Sequence, residues 1–223
     1  MPAVTQRPLR KKLRPPKPRV LQAGDLKTFG WLVHGFSTRM GGLSTCYGGK
    51  TLNLGLTQDD TVRHAEQNRN RLLMTLGAAT RSKVWPLINL RQIHSDLIHV
   101  VRSRDPGQFV GDGLLTNLPE IALAVQTADC FPILLADRKN RAVGVFHAGW
   151  RGTVQRIVEK GLGVMRREYG TLPEHIHAAI GPGIQQCCYE VGEELKTQFE
   201  SQFSYAPELF REGRWVTAGI LLF

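Results

Sequence analysis

The pattern of apolar and polar positions predicts helices and strands that alternate irregularly along the chain. Apolar residues between positions 62 and 76 recur at helical spacing, with Asp59 or Asp60 as the predicted N-cap and Gly77 as the predicted end. A glycine-rich polar segment, residues 35–44, is typical of a strand end that leads into a loop. Further strands are predicted at residues 84–90, 97–101, 121–125 and 177–183, and a further helix at residues 190–203.

Two apolar runs in the middle of the chain predict a β-hairpin. Residues 131–136 and 142–146 are separated by the polar turn sequence DRKNR, and Thr153 then caps a predicted helix with apolar residues from Ile157 to Met165. The irregular alternation of helix and strand favours the α/β class, with a mixed-sheet α-β-α sandwich. A length of 223 residues is enough for a single well-packed domain and too short for two.

The register of this hairpin determines whether a cysteine and a histidine meet. If Arg138 and Lys139 are the two central turn residues, Cys130 lies directly opposite His147 on the same face, with Cβ atoms roughly 5 Å apart. A three- or four-residue loop would break this pairing, and Pro132 suits only an edge strand or the start of a strand. Such a distance suits a shared metal ion or a thiol–imidazole pair.

The net charge of +10 is concentrated at the N-terminus. Residues 1–19 contain seven Lys and Arg residues and no acidic residue, which leaves +3 for the rest of the chain. Five prolines in this segment prevent a regular helix. We therefore predict a basic, proline-rich disordered tail at residues 1–24 and a catalytic domain at residues 25–223. Targeting, or weak polyanion contact with RNA or a membrane surface, is the alternative for the tail; the folded domain is expected to have no nucleic-acid partner.

Composition narrows the class of protein. A hydrophobic share of 42% and a charged share of 22% are typical of soluble globular proteins, and no apolar stretch approaches the roughly 18 residues of a membrane span. The N-terminus lacks the apolar core of a secretory signal. Four cysteines are too few and too scattered for a disulfide scaffold. We therefore expect a cytoplasmic protein with free thiols and no membrane partner.

The cysteine and histidine content allows a metal site. Two imidazoles and one thiolate with an open fourth position form an accepted catalytic zinc set. Cys130 and His147 supply two of these donors if the hairpin forms as predicted. His94, in the segment NLRQIHSD, is a candidate third ligand, but the residues alone do not select it. The competing histidines are His34, His64, His99, His175 and His177.

Seven segments occur here in an order that resembles a known family. They are HGFSTRMGGLS, TLNLG, QNRNRL, QIHSD, TADCFPILLAD, HAGWRGT and GPGIQQCCYEVG. Over roughly residues 30–200 the chain is similar to the laccase-domain (YfiH-type) purine nucleoside phosphorylases, also described as polyphenol oxidases. The pair TADC and HAGWRG, with the cysteine and histidine seventeen positions apart, is the most specific element. The resemblance implies that His94, Cys130 and His147 are metal ligands.

The implied activity is a zinc-dependent phosphorolysis of purine nucleosides. Adenosine, inosine or guanosine and phosphate would give the free base and ribose 1-phosphate, with adenosine deamination as a companion reaction. The expected partners are therefore small molecules, a purine nucleoside and phosphate. An open zinc position can activate water for attack on a purine ring, which makes the deamination chemically coherent.

Five further residues are candidates for the reaction. Arg39 and Arg69 match family positions expected to contact substrate or phosphate, and we assign Arg39 a catalytic role. Arg151 stands beside a helix N-terminus that could receive an anion. Asp129, next to a predicted ligand, could orient His147 or accept a proton. Asn53 is expected to line the pocket. Each arginine could instead form a structural ion pair.

Several alternatives remain open at this stage. Copper could occupy the same two-histidine, one-cysteine site and support polyphenol oxidation, although seven histidines are too few for a full multicopper cluster. A second alternative is a Cys130–His147 hydrolase without a metal. Cys187 and Cys188 resemble a metal or redox pair, but we predict packed thiols there.

The end of the chain differs from the family pattern. The match ends near residues 212–215, whereas family members continue with further strands. We therefore expect a C-terminally shortened domain that lacks the usual last strands and has lower stability, because an unpaired sheet edge and apolar surface would be exposed. An inactive, truncated relative of the family is the third alternative.

Overall fold

The computed structural model describes residues 16–105 and 107–211, together with the backbone of residues 217–218. The strands are β1 (Val20–Leu21), β2 (Phe36–Ser37), β3 (Met40–Ser44), β4 (Leu87–Ile88), β5 (Leu90–Arg91), β6 (Ile98–Val100), β7 (Phe109–Val110), β8 (Gly113–Thr116), β9 (Ala122–Leu123), β10 (Phe131–Asp137), β11 (Ala142–Ala148), β12 (Ile176–Ile180), β13 (Phe210–Arg211) and β14 (Thr217–Ala218). The α-helices are α1 (Val62–Leu76), α2 (Trp150–Val154), α3 (Ile157–Tyr169) and α4 (Glu193–Gln202), and 3-10 helices span Asp25–Thr28, Pro173–His175 and Ala206–Leu209.

A five-stranded mixed sheet forms the centre of the molecule. Its strand order is β12-β10-β11-β8-β6, with β6 parallel to β8 and the other neighbours antiparallel. Eight further strands in the described part of the chain form four two-stranded pairs, and β3 makes only single-residue bridges to Thr51. The expected mixed α/β single domain is confirmed. In the described part of the chain, no helix has the length and apolar character needed to cross a membrane.

Apolar side chains cover both faces of the central sheet. On one face α3 places Ile157 and Met165 against Phe146, all three fully buried. The helix approaches closely because Gly161 has no side chain: a Cβ atom there would lie 2.4 Å from the Phe146 ring. On the other face Val145 packs with Ile88, and the core continues beneath the 3-10 helix Asp25–Thr28.

The β10–β11 hairpin has a different register from the predicted one. Its turn contains four residues, 138–141, so that His147 pairs with Pro132 and not with Cys130. The longer turn forms because the Asp137 carboxylate accepts hydrogen bonds from two backbone N–H groups within it, at 2.9 Å each. The proline stands near the strand start, as predicted. A shift of two residues preserves the alternation of faces, so Cys130 still projects towards the side of His147.

Two predicted helix caps are wrong. Thr61, not Asp60, is the N-cap of α1, and its side chain accepts a hydrogen bond from the backbone N–H of His64 at 3.2 Å. Thr153 lies within the short helix α2, which begins after Gly149, and a separate helix α3 follows. Gly77 ends α1 in the left-handed conformation, as predicted.

The boundary of the predicted N-terminal tail also moves. Residues 16–24 are part of the fold, because β1 pairs with β2 and the backbone carbonyl of Arg19 accepts hydrogen bonds from Thr38. Residues 1–15, and the chain end where the shortened C-terminus is expected, lie outside the described residues apart from the backbone of β14.

Candidate metal centre

The structure brings the three predicted ligands together. His94 lies in the loop between β5 and β6, Cys130 immediately precedes β10, and His147 is in β11. One potential ligand atom from each residue lies within 4.8 Å of the other two. The rings of His94 and His147 meet edge to face, with centroids 4.7 Å apart. Two imidazoles and a thiol at this spacing could hold a single ion.

His147 is oriented by a buried carboxylate that the sequence analysis did not identify. Its Nδ1 lies 2.7 Å from Oδ1 of Asp112, which is fully buried. Burial alone would raise the pKa of Asp112, but hydrogen bonds from His147 and Ser95 outweigh it and lower that pKa. An ionised carboxylate only accepts hydrogen bonds, so Nδ1 carries the proton and Nε2 is available to an ion.

The same carboxylate also holds the loop that carries His94. It accepts hydrogen bonds from the backbone N–H groups of Ile93, His94 and Ser95 at 3.2, 3.1 and 2.6 Å, and from the Ser95 hydroxyl at 2.7 Å. This ring of donors stabilises His94 at a φ of 57°, in the left-handed region that side chains rarely adopt. Asp112 therefore positions two of the three candidate ligands.

Cys130 is half-buried beside two carboxylates. Burial raises the pKa of its thiol, and the negative charges of Asp129 and Asp112 raise it further. These surroundings favour the protonated thiol. Binding of a cation by Cys130 would therefore release a proton.

Gly149 leaves open the space between the candidate ligands. A Cβ atom at this position would lie 3.0 Å from Cδ2 of His94, 3.2 Å from Sγ of Cys130 and 3.8 Å from Cε1 of His147. Its φ of −76° and ψ of 168° suit any residue, so the glycine is needed for space and not for backbone conformation. A soft sulfur donor with two imidazoles around this space fits zinc or copper.

From the sequence, Asp129 is a candidate to orient His147. The structure shows instead that Asp112 makes the hydrogen bond to Nδ1 of His147. The side chain of Asp129 is exposed, and its backbone carbonyl accepts a hydrogen bond from Ile184 N at 2.7 Å. Arg151 is also exposed, with its guanidinium 4.5 Å from the centre of the Trp150 ring. This cation–π contact keeps the Arg151 side chain against its own helix, α2, which begins directly after Gly149.

Arg69 lines a cavity of about 650 Å³, and its Nε donates a hydrogen bond to the Leu54 carbonyl at 2.8 Å. The cavity wall also contains Arg91, Gln92 and Gln126. The side-chain amide of Gln92 donates to the Gln126 carbonyl and accepts from the Gln126 backbone N–H, at 2.7 Å each. Gln92 and Gln126 precede two candidate ligands by two and four positions, so the wall is built from the segments that carry those ligands.

Asn53 contributes to a polar scaffold. Its amide donates to the Asp60 carboxylate at 2.9 Å, and its Oδ1 accepts from Gly55 N at 3.1 Å. The fully buried Asn68 donates to the Asn53 carbonyl at 2.9 Å, which ties this loop to α1. Arg39 is exposed in the turn between β2 and β3. Neither residue belongs to the metal-ligand group or to the described cavity wall.

Cys187 and Cys188 were predicted to be packed thiols, and this prediction is wrong. Both side chains are exposed, and their sulfur atoms lie 3.1 Å apart. They occupy a loop between β12 and α4, where the chain makes a turn and has no strand to bury them.

Comparisons with known proteins identify relatives of this chain. The family described as multi-copper polyphenol oxidoreductase laccase matches residues 33–219. A protein named purine nucleoside phosphorylase from Deinococcus radiodurans is 43% identical over 182 residues, or 81% of this chain and 68% of that protein. A protein named adenosine deaminase RL5, from an unknown prokaryotic organism, is 37% identical over 179 residues, or 75% of this chain and 66% of that protein.

A solved structure shares the fold. The hypothetical protein YfiH of Bacillus licheniformis matches with a TM-score of 0.74 at 29% identity, over 83% of this chain and 72% of that one. The family match covers most of the chain, and the fold agrees with it. The chain therefore belongs to the laccase-domain, YfiH-type family of enzymes.

Proposed function

We propose that this chain is a zinc-dependent purine nucleoside phosphorylase that releases the base and ribose 1-phosphate from adenosine, inosine or guanosine, with adenosine deamination as a side reaction. The names of the two relatives support these reactions. The observation that carries the proposal is the group His94, Cys130 and His147, whose donor atoms lie within 4.8 Å of one another beside the space left by Gly149.

The ligand geometry supports a catalytic rather than a purely structural ion. Zinc would be held by Nε2 of His147, the ring of His94 and Sγ of Cys130, and three protein ligands leave a fourth position for substrate or water. When bound, zinc supplies Lewis acidity at that position. Asp112 keeps the proton of His147 on Nδ1, so that Nε2 presents its lone pair.

The cavity lined by Arg69, Arg91, Gln92 and Gln126 supports binding of a nucleoside and an anion. Its volume of about 650 Å³ is within the range of small-molecule sites. Arg69 and Arg91 supply two cationic groups that can pair with phosphate oxygens. The side-chain amide of Gln126 can supply a donor and an acceptor that orient a base or a ribose, and Gln92 holds the Gln126 backbone in place.

The remaining candidates lie outside the cavity wall, and we propose a role for each of them. We assign the exposed carboxylate of Asp129, next to Cys130, as a proton acceptor. We assign the exposed guanidinium groups of Arg151 and Arg39 the role of binding the negatively charged phosphate. Asn53 is assigned to the loop scaffold that supports the Arg69 side of the cavity, through its contacts with Asp60 and Gly55.

Copper-dependent polyphenol oxidation is a second candidate, because the matching family carries that description. Copper accepts the same ligand set as zinc and binds nitrogen and sulfur donors more tightly. Within residues 16–105 and 107–211, however, His94, Cys130 and His147 are the one group of three or more potential ligands. A multicopper cluster needs several such groups, so this candidate is limited to a single copper ion.

The test is phosphate-dependent cleavage of inosine and deamination of adenosine by the wild type, by zinc-depleted protein and by Cys130→Ala. We expect both activities to fall to background on zinc removal and to return when zinc is restored. Cys130→Ala should neither retain zinc nor recover. Cys46→Ala is the matched control, since Cys46 lies in a loop outside the ligand group, and it should behave as the wild type.

Two outcomes would contradict the proposal. Equal activity of the wild type and Cys130→Ala would remove the metal centre from the reaction. Catechol oxidation that requires copper, without any nucleoside cleavage, would favour the oxidase. His94→Ala separates a metal enzyme from a Cys130–His147 hydrolase, since only the metal enzyme needs all three ligands.

A further inference from the structure

Two adjacent cysteines on the surface form a pair of thiols outside the candidate metal centre. Cys187 and Cys188 are both free and exposed, and their Sγ atoms lie 3.1 Å apart. The backbone turn that carries them is closed by a hydrogen bond from Cys188 N to the Gln185 carbonyl at 2.9 Å. The two thiols are therefore in contact with each other and accessible to molecules in solution.

A disulfide bond between Cys187 and Cys188 would be reduced readily in a reducing environment. Successive Cα atoms are about 3.8 Å apart, below the roughly 4.4–6.8 Å that ordinary disulfides span. A disulfide closed there is strained, and strained or exposed disulfides are the readily reduced ones. This chemistry suits reversible oxidation and does not suit a permanent structural link.

The two thiols also differ from each other. A hydrogen bond with Cys187, and repulsion from a negative charge on it, raise the pKa of Cys188. A negative charge on one sulfur therefore disfavours a second charge on the sulfur beside it. Exchange with a disulfide needs one thiolate that attacks first and a second thiol that then resolves the mixed disulfide.

We propose that Cys187 and Cys188 form a vicinal dithiol site that undergoes reversible exchange with small disulfides of the glutathione type. One protein thiolate attacks the small disulfide, forms a mixed disulfide and releases one small thiol. The second protein thiol loses its proton, attacks the mixed disulfide and releases the other small thiol. Two protein thiols become one disulfide, while one small disulfide becomes two thiols.

The site lies on a loop that is attached to the metal centre. Ile184 N donates a hydrogen bond to the carbonyl of Asp129 at 2.7 Å, next to the candidate ligand Cys130. Gly183 lies against the Phe131 ring, where a Cβ atom would approach to 2.7 Å. Cys130 itself is half-buried and faces the two histidines, so the dithiol is a separate group.

The test treats zinc-loaded protein with glutathione disulfide, then unfolds it in a chelator and alkylates the remaining thiols. We expect the number of alkylated cysteines to fall from the four of the untreated chain to two. The intact mass should fall by two hydrogens, and dithiothreitol should reverse the change. Peptide mapping should place the bond between Cys187 and Cys188.

Matched variants make the result specific. Cys187→Ser and Cys188→Ser should each stop at a stable glutathione adduct on the remaining cysteine, since the second step has no thiol. Cys46→Ser should form the internal bond as the wild type does. Four alkylated cysteines in the treated wild type, a bond that includes Cys130, or a stable adduct in the wild type would each overturn the proposal.

Discussion

Replacing Asp112 by asparagine is expected to weaken zinc binding about 10- to 100-fold, the usual effect of losing a carboxylate that holds a ligand histidine. The carboxylate of Asp112 accepts five hydrogen bonds, one of them from His147 and the others from residues 93–95. Asparagine keeps one acceptor oxygen, but its NH₂ group replaces the other oxygen and would face two or three of these donors. The zinc-free protein should also lose about 1–3 kcal/mol of stability, because buried donors remain unpaired.

Zinc affinity from competition with a chelator, and urea unfolding of the zinc-free protein, measure the two effects separately. Asp137→Asn is the matched control, because Asp137 is equally buried and accepts hydrogen bonds in the hairpin turn at the far end of β10. It should lose stability without losing zinc affinity. An Asp112→Asn variant that binds zinc as tightly as the wild type would show that Asp112 does not position the ligands.

Gly149→Ala is expected to abolish tight metal binding and the activities that depend on it. The added methyl group would lie 3.0–3.8 Å from atoms of all three candidate ligands and would fill the space between them. Since the backbone of Gly149 has a conformation open to alanine, the fold should tolerate the change. The measurements are zinc content after dialysis and the rate of inosine phosphorolysis.

The control for this variant is Gly163→Ala. Gly163 lies within α3, and a Cβ atom there would meet no other atom within 4 Å. The substitution should leave zinc content unchanged and stabilise the helix by up to about 1 kcal/mol. A Gly149→Ala protein that holds one zinc ion as firmly as Gly163→Ala would show that the ion lies elsewhere.

The sequence predicted that Cys130 and His147 meet, although it did so with the wrong register. A two-residue loop would have paired them directly, whereas the four-residue turn pairs His147 with Pro132. The conclusion survived because side chains alternate with a period of two along a strand, and the register moved by two. The length of the turn depends on the hydrogen bonds of the Asp137 side chain. The turn propensities of the individual residues do not specify this length.

Asp112 was missed because its function arises from tertiary contacts. The residue enters β8 from a GDG sequence, and its partners come from the loop at 93–95 and from β11. No spacing along the chain connects these segments. The available signal was an acidic residue between two glycines at the start of an apolar strand, where burial of a charge requires several donors.

The wrong prediction of the N-cap of α1 also arises from tertiary contacts. Asp60 and Thr61 are both good cap residues, so the local sequence favours neither. In the structure Asp60 accepts hydrogen bonds from Ser44 and Asn53, which come from other segments and lower its pKa. Its carboxylate is thus engaged mainly by side chains, including the ring of His64, and Thr61 caps the backbone of α1 in its place.

The most direct test of the metal centre is the zinc X-ray absorption spectrum of the purified, active protein. Coordination by His94, Cys130 and His147 predicts one sulfur at about 2.3 Å and two imidazole nitrogens at about 2.0–2.1 Å, with a light atom in the fourth position. The sulfur contribution should disappear in Cys130→Ala. A zinc ion without a sulfur ligand in the active wild type would contradict the account.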